Sequence, residues 1–174
     1  MFTKDMKDLI RAFNRNGVEY LIIGGFAFGV HAQPRATKDL DLFIRSDARN
    51  SAAAFKALAE YGAPLQGLTT KDLQDTITGL QIGVPPNRID ILQKIDGVTF
   101  ADAWRSRVQA VIEGDIPTFV ISREHLIQNK LASGRARDLL DVQEIQRAAE
   151  YASKQALRKK ATSISKSRSK GLER

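Results

Sequence analysis

"LIIGGFAFGVHAQPRATKDLDLFI", residues 21–44, joins two hydrophobic runs through a pair of glycines, and its second run carries Asp39 and Asp41. The first run, from Val18 to Ile23, is rich in β-branched and aromatic residues and predicts a strand. Gly24-Gly25 ends it, and "FAFGVHA" predicts a short helix before Pro34. Residues 38–44 alternate charged with apolar positions and predict a second strand. Alternate side chains of a strand share a face, so Asp39 and Asp41 point the same way, their Cα atoms ~6.6 Å apart. Leu40 and Leu42 then point into the core. Two carboxylates so placed repel each other unless a cation lies between them. Hard cations such as Mg²⁺ take oxygen ligands, usually one or two carboxylates plus phosphate oxygens.

Asp90 in "RIDIL" repeats the pattern, one acid between Ile89 and Ile91 in a strand-like run. If that strand neighbours 38–44, Asp90 faces the same pocket. Three carboxylates can hold two ions, which activate an attacking hydroxyl and steady the leaving oxygen of an in-line displacement. Gly24-Gly25 leaves backbone amides open at a strand-to-helix junction, where a polyphosphate can approach without side-chain obstruction. Lys38 and Arg35 are nearby cations for phosphate charge. "GGFAFG" does not follow a dinucleotide fingerprint, and neither a Walker-type Gly-Lys-Ser/Thr nor a DxDxDG calcium loop occurs.

Outward from this stretch, Met6, Leu9, Ile10 and Phe13 have helical spacing over about 4–15, stopped by Asn16-Gly17. Asp47 is placed to cap a helix running to about Tyr61, ended by Gly62 and Pro64. Residues 69–75 predict a helical turn. "TGLQIGV" and "RIDILQKI" predict strands separated by "PPN" turn chemistry. "AVIEGDIPTFVI" predicts a hairpin around Gly114-Asp115. Ser122 is an N-cap for "REHLIQNKLA", Gly134 interrupts, and a second helix runs from about Arg137 into the 150s. Helices and a mixed sheet in one domain make the fold class α+β, with a C-terminal helical segment.

The 174 residues suit one domain with a short appendage, placed here at 1–157 and 158–174. Cysteine is absent, which excludes a disulfide frame and a thiolate nucleophile, and two distant histidines argue against a His-rich metal site. No apolar run reaches transmembrane length and the N-terminus lacks a signal-peptide core, so no membrane partner and a cytoplasmic location are expected. Residues 154–174 carry eight basic side chains against the single acid Glu173, a surplus that accounts for the whole net charge of +7. "ATSISKSRSKGLER", residues 161–174, has no apolar period, and the basic tail is expected to be disordered, solubilising or in contact with nucleic acid.

Ile23-Gly24-Gly25, thirteen residues, Asp39-Leu40-Asp41-Leu42 and then Ile89-Asp90-Ile91 resemble the signature of the nucleotidyltransferase superfamily, the polymerase-β-like fold. The resemblance covers about residues 18–95. It implies a mixed β-sheet flanked by helices and transfer of a nucleoside monophosphate from an NTP to a hydroxyl. It implies that Asp39, Asp41 and Asp90 are catalytic and hold two Mg²⁺ ions, or Mn²⁺ in their place. Gly24 and Gly25 would bind the nucleotide together with Lys38, Lys130 and Arg135. Many members have Ser after the first Gly, whereas this chain has Gly25, so backbone amides would hold the triphosphate. "KLASGRARDLLDV" is similar to the Lys…Arg-x-Lys/Arg-Asp-x-x-Asp segment of AbiEii- and MenT-type bacterial nucleotidyltransferases, which include toxins of toxin–antitoxin pairs. There Lys130 would contact nucleotide and Asp138 or Asp141 would shape the site. The other reading of that segment is a helix laced with ion pairs.

The acceptor stays open among RNA or tRNA, a protein side chain and a small molecule, and a cognate antitoxin or toxin protein is the implied partner. A fold-only module that binds protein or RNA without catalysis is the alternative. His31, Phe100 with Trp104, and Arg105 with Arg107 read better as packing or surface charge than as site residues.

Overall fold

The alternation at 38–44 becomes the centre of a six-stranded mixed sheet. The structure, a computed structural model, describes residues 2–85 and 87–170, with residues 161–170 described by their backbone alone. Its elements are α1 (Lys4–Arg15), β1 (Tyr20–Ile22), α2 (Gly24–His31), β2 (Asp39–Ile44), α3 (Ala48–Tyr61), β3 (Leu80–Ile82), β4 (Arg88–Leu92), α4 (Phe100–Arg105), β5 (Val108–Ile112), β6 (Ile116–Val120), α5 (Arg123–Ser133) and α6 (Ala136–Lys170). The strand order is β3-β4-β2-β1-β6-β5. β2 runs parallel to β4 and antiparallel to β1, and β1 runs parallel to β6. This is the expected α+β class, a mixed sheet flanked by helices.

Local chemistry sets the boundaries. Thr3, Asp47 and Ser122 each accept a backbone N–H of the first turn of α1, α3 and α5. Gly62 and Gly134 end α3 and α5 in the left-handed conformation that disfavours other residues. The apolar stripe of α1 buries Met6, Leu9, Ile10 and Phe13, and α1 packs against α3 and β6. Leu40, Leu42, Ile89 and Ile91 fill one face of the central strands, all fully buried.

Buried polar groups are braced rather than left bare. Tyr20 is wholly buried, and its hydroxyl bonds Asn14 and Thr118. Asn50 accepts from Glu19 N–H and donates to the carbonyls of Glu19 and Arg45, tying α3 to the edges of β1 and β2. Nothing in the hydrophobic pattern announces that brace.

Three expectations shift. Residues 69–75 form turns held by Asp72 N–H to Thr69 and Gln74 N–H to Lys71, and no regular helix. The strand expected over 18–23 shortens to three residues. The helix expected to end in the 150s continues to Lys170, so the tail expected to be structureless from 158 is helical as far as it is described; residues 171–174 lie outside the described residues. The reason is local: no glycine or proline interrupts the chain between Ala136 and Lys170, while alanine, leucine, lysine and arginine favour the helix. No described helix is long and apolar enough to cross a membrane.

Candidate active site

β2 and β4 pair in parallel with Asp41 directly opposite Asp90 and Asp39 opposite Arg88. All four side chains therefore leave the sheet on the same face, away from the buried leucines and isoleucines. Asp90, distant in sequence from Asp39 and Asp41, is their neighbour in space.

Their electrostatics are strained. Burial, then the charges of Asp90 and Asp39, push the Asp41 carboxyl up to about 6, with Arg88 and Lys130 pulling less strongly the other way. Burial raises Asp90 too, against the attraction of Arg88. The Arg88 guanidinium lies between the outer acids, 2.7 Å from Asp39 Oδ2 and 3.1 Å from Asp90 Oδ2. Even so, Asp39 Oδ1 is buried without a hydrogen-bond partner, and Arg88 Nε, the atom that meets Asp90, does so off the hydrogen-bond axis.

The glycines explain how α2 comes so close. Gly24 has φ +61°, and a Cβ there would stand 2.0 Å from Asp41 Oδ2. The start of α2 thus lies against the carboxylate, which no larger residue would permit. A Cβ at Gly25 would stand 2.6 Å from the Thr37 hydroxyl, so that glycine admits the segment leading into β2.

A cavity of about 230 Å³ opens beside Gly24 and Asp41 and is walled by Lys94, Lys130, Arg135 and Asp138 among others. The structure therefore brings Lys130 and Arg135 to the glycine turn. Arg135 is exposed, while Lys130 is buried and its ammonium is already engaged, 2.7 Å from both Asp138 and Asp141. Arg35, a candidate phosphate cation, instead forks onto Asp141, with one bond of 2.9 Å. Burial pushes Asp138 and Asp141 upward, but Lys130 with Ser133 on Asp138, and Arg35 with Lys130 on Asp141, outweigh it and hold both carboxyls low. Both readings of that segment meet here: it is an ion-pair network, and it forms a wall of the cavity. Lys38 is exposed before β2 and does not line the cavity.

Sequence reasoning passed over Arg88 and Lys94. Both share the parity of Asp90 along the β4 run, which is the signal that places them on its face. His31 donates through Nε2–H to the Ile121 carbonyl, 2.7 Å away, and so braces α2. Phe100 and Trp104 stack at 5.6 Å against the core cluster, and Arg107 covers the Trp104 ring.

The sequence profile of the family described as "Nucleotidyltransferase of unknown function (DUF6036)" matches residues 1–167. The chain belongs to this nucleotidyltransferase family. Two solved structures share the fold of this nucleotidyltransferase. The crystal structure of ANT(2″)-Ia in complex with adenylyl-2″-tobramycin aligns with TM-score 0.55 and 16% identity, over 90% of this chain and 94% of that one. The solution structure of the antibiotic-resistance factor ANT(2″)-Ia aligns with TM-score 0.54 and 15% identity, over 92% of each chain. No curated protein sequence matches the chain.

The donor set suits a divalent cation of the hard class: three carboxylates on one face, one with an unpaired buried oxygen and one pushed up to about 6 by burial and its acidic neighbours. Among the described residues, however, no three His, Cys, Asp or Glu side chains form a finished cage. The oxygens of Asp39 and Asp90 are turned to Arg88.

Proposed function

We propose that this nucleotidyltransferase moves a nucleoside monophosphate from an NTP to a hydroxyl acceptor, with Asp39, Asp41 and Asp90 as the catalytic carboxylates. The observation that carries this reading is the register that sets Asp41 beside Asp90, with the backbone of Gly24 against Asp41. Held by these three acids, Mg²⁺ or Mn²⁺ would neutralise phosphate charge and lower the pKa of the attacking hydroxyl.

The chain's own residues do the rest. The opening turn of α2 at Gly24 and Gly25 offers backbone N–H groups to the triphosphate, with no side chain in the way. Arg135 at the cavity wall, and Lys38 before β2, supply positive charge for the nucleotide's phosphates. Lys130 is committed to Asp138 and Asp141, so its part is to fix the cavity wall and moderate the field at Asp41. The acceptor oxygen attacks the α-phosphorus, and the bond to the bridging oxygen of pyrophosphate breaks. Asp90, raised by burial, takes the hydroxyl proton.

An RNA is the acceptor we favour. α6 starts at the cavity wall with Asp138, and between residues 151 and 170 it carries seven basic side chains and no acid. Such a run attracts a phosphate backbone in a salt-dependent way. The likeness to ANT(2″)-Ia over nearly its whole length supports a second reading, a small polyhydroxylated acceptor. The similarity of the 130–142 segment to toxin-type enzymes supports a place in a toxin–antitoxin pair, with a cognate protein as partner.

The test is label transfer from each α-labelled NTP with Mg²⁺, offered total RNA in one arm and aminoglycosides in another. Label on RNA that disappears in Asp39→Ala and Asp41→Ala supports the leading reading. Label on the antibiotic alone favours the second, and no label in any arm removes the catalytic reading. Growth arrest on expression of the wild type, absent in Asp41→Ala, is the corresponding test of toxicity.

A further inference from the structure

Arg88 is the one described cation set between two of the three acids, and its pairing is incomplete. Its Nη2 donates to Asp39 Oδ2 and its Nε meets Asp90 Oδ2 at 3.1 Å off the hydrogen-bond axis, while the second oxygen of Asp39 is buried without a hydrogen bond. A guanidinium can satisfy a carboxylate through two parallel bonds, as Arg35 does on Asp141. Arg88 spreads itself over two acids instead, with one bond to Asp39 and a poorly aligned contact to Asp90. An ion pair kept for stability alone would leave no such unpaired oxygen, since it is costly in a buried site. The arrangement is that of a stand-in.

We propose that Arg88 is a built-in counter-ion that pairs with the carboxylate cluster and must release Asp39 and Asp90 before a divalent cation can be held there. This rests on the proposed function, because it concerns the same three acids. Two positive species cannot share these oxygens at contact distance without strong repulsion. Loading the site is therefore an exchange of one cation for another. Arg88 lowers affinity for free metal while preventing three bare acids from repelling one another in the resting protein. It also gives the nucleotide a thermodynamic role: the anionic triphosphate stabilises the loaded state, so metal uptake is coupled to substrate.

The experiment measures nucleotide-free Mn²⁺ binding by electron paramagnetic resonance or calorimetry for the wild type, Arg88→Gln and, as a control for net charge, Lys4→Gln. Arg88→Gln should bind Mn²⁺ at least about tenfold more tightly than the wild type, and Lys4→Gln should match the wild type. Equal or weaker Mn²⁺ binding by folded Arg88→Gln overturns the inference while leaving the metal-dependent reading intact. Failure of both the wild type and Arg88→Gln to bind Mn²⁺ overturns the metal-dependent reading itself, and this inference with it. Should Arg88→Gln not fold, the wild type alone decides. The Arg88 Nε–H resonance should leave its ion-paired position as Mg²⁺ is added to saturation, and a resonance that stays in place through saturation overturns the inference.

Discussion

Two clusters of acids and cations each contribute residues to the same cavity, Asp41 from one and Lys130 with Asp138 from the other, and they are built differently. At the α5–α6 corner, Asp138 and Asp141 share Lys130, Asp141 also takes the fork of Arg35, and Ser133 donates to Asp138 at 2.6 Å. None of these side chains is left with an orphaned buried atom, and both acids sit below their ordinary range. On the β2–β4 face, Arg88 bridges two of three acids, one oxygen of Asp39 stays buried and unpaired, and Asp41 is pushed up to about 6. The first cluster is satisfied charge that fastens α6 to the segment entering β2. The second is charge left partly unpaired. Burial acts on both, so what separates them is the ratio of cations to acids.

That contrast is broken most sharply by activity. Asp41→Ala should cut nucleotidyl transfer on the order of 10⁴-fold, about 5 kcal/mol of transition-state stabilisation, with folding intact by circular dichroism. Asp141→Ala should do the reverse in kind. It strands Lys130 and Arg35 without their shared partner and should lower unfolding free energy by about 3–5 kcal/mol in urea titration.

A third measurement sharpens the comparison. The carboxyl of Asp41 is raised from its ordinary 3.8 to about 6, so the folded state binds a proton more readily than the unfolded one. Above about pH 6 the native protein carries a charge it disfavours. Asp41→Asn should therefore stabilise the ligand-free protein at pH 7.5 by about 3 kcal/mol, from a shift of roughly two units at 1.36 kcal/mol each. In the wild type, this contribution to stability should grow as pH falls from 7 through 6 towards 3.8. Asp138 and Asp141, held low, contribute stability above their unfolded value that is lost as pH drops through their folded values. The wild type should thus gain stability on mild acidification and lose it in strong acid, whereas Asp41→Asn should keep only the smaller gain that the raised Asp90 supplies. The smallest effect belongs to the end of α6. Residues 151–160 are exposed along their whole length, so deleting 158–174 should change unfolding free energy by less than about 0.5 kcal/mol while weakening RNA binding.

How much of this was legible beforehand follows the range of the physics involved. Period-two alternation places Asp39, Asp41 and Asp90 on strand faces, and the glycines mark the turn, because these are properties of a few consecutive residues. Strand pairing is not local. The partner of Arg88 depends on which strand lies beside β4 and in what register, so its position between two acids could not be read from "RIDIL". Lys130 and Asp141 were visible as charges, but their burial depends on how α5 folds back on α6. The Asn50 brace is similarly hidden, since it needs the ends of β1 and β2 to meet one helix. Helix α6 outran its expected end because polar composition was weighed above the absence of any breaker before Gly171.

The contact at Gly24 has a consequence for how this wall can change. Its backbone is left-handed, and the volume where a methyl would go is filled by the Asp41 carboxylate. An alanine at 24 meets two obstacles at once, and the substitution that makes room, shortening residue 41, discards the acid. The two positions are locked in a mutual dependence with no single-step repair, so this corner can be varied only by giving up the chemistry it frames.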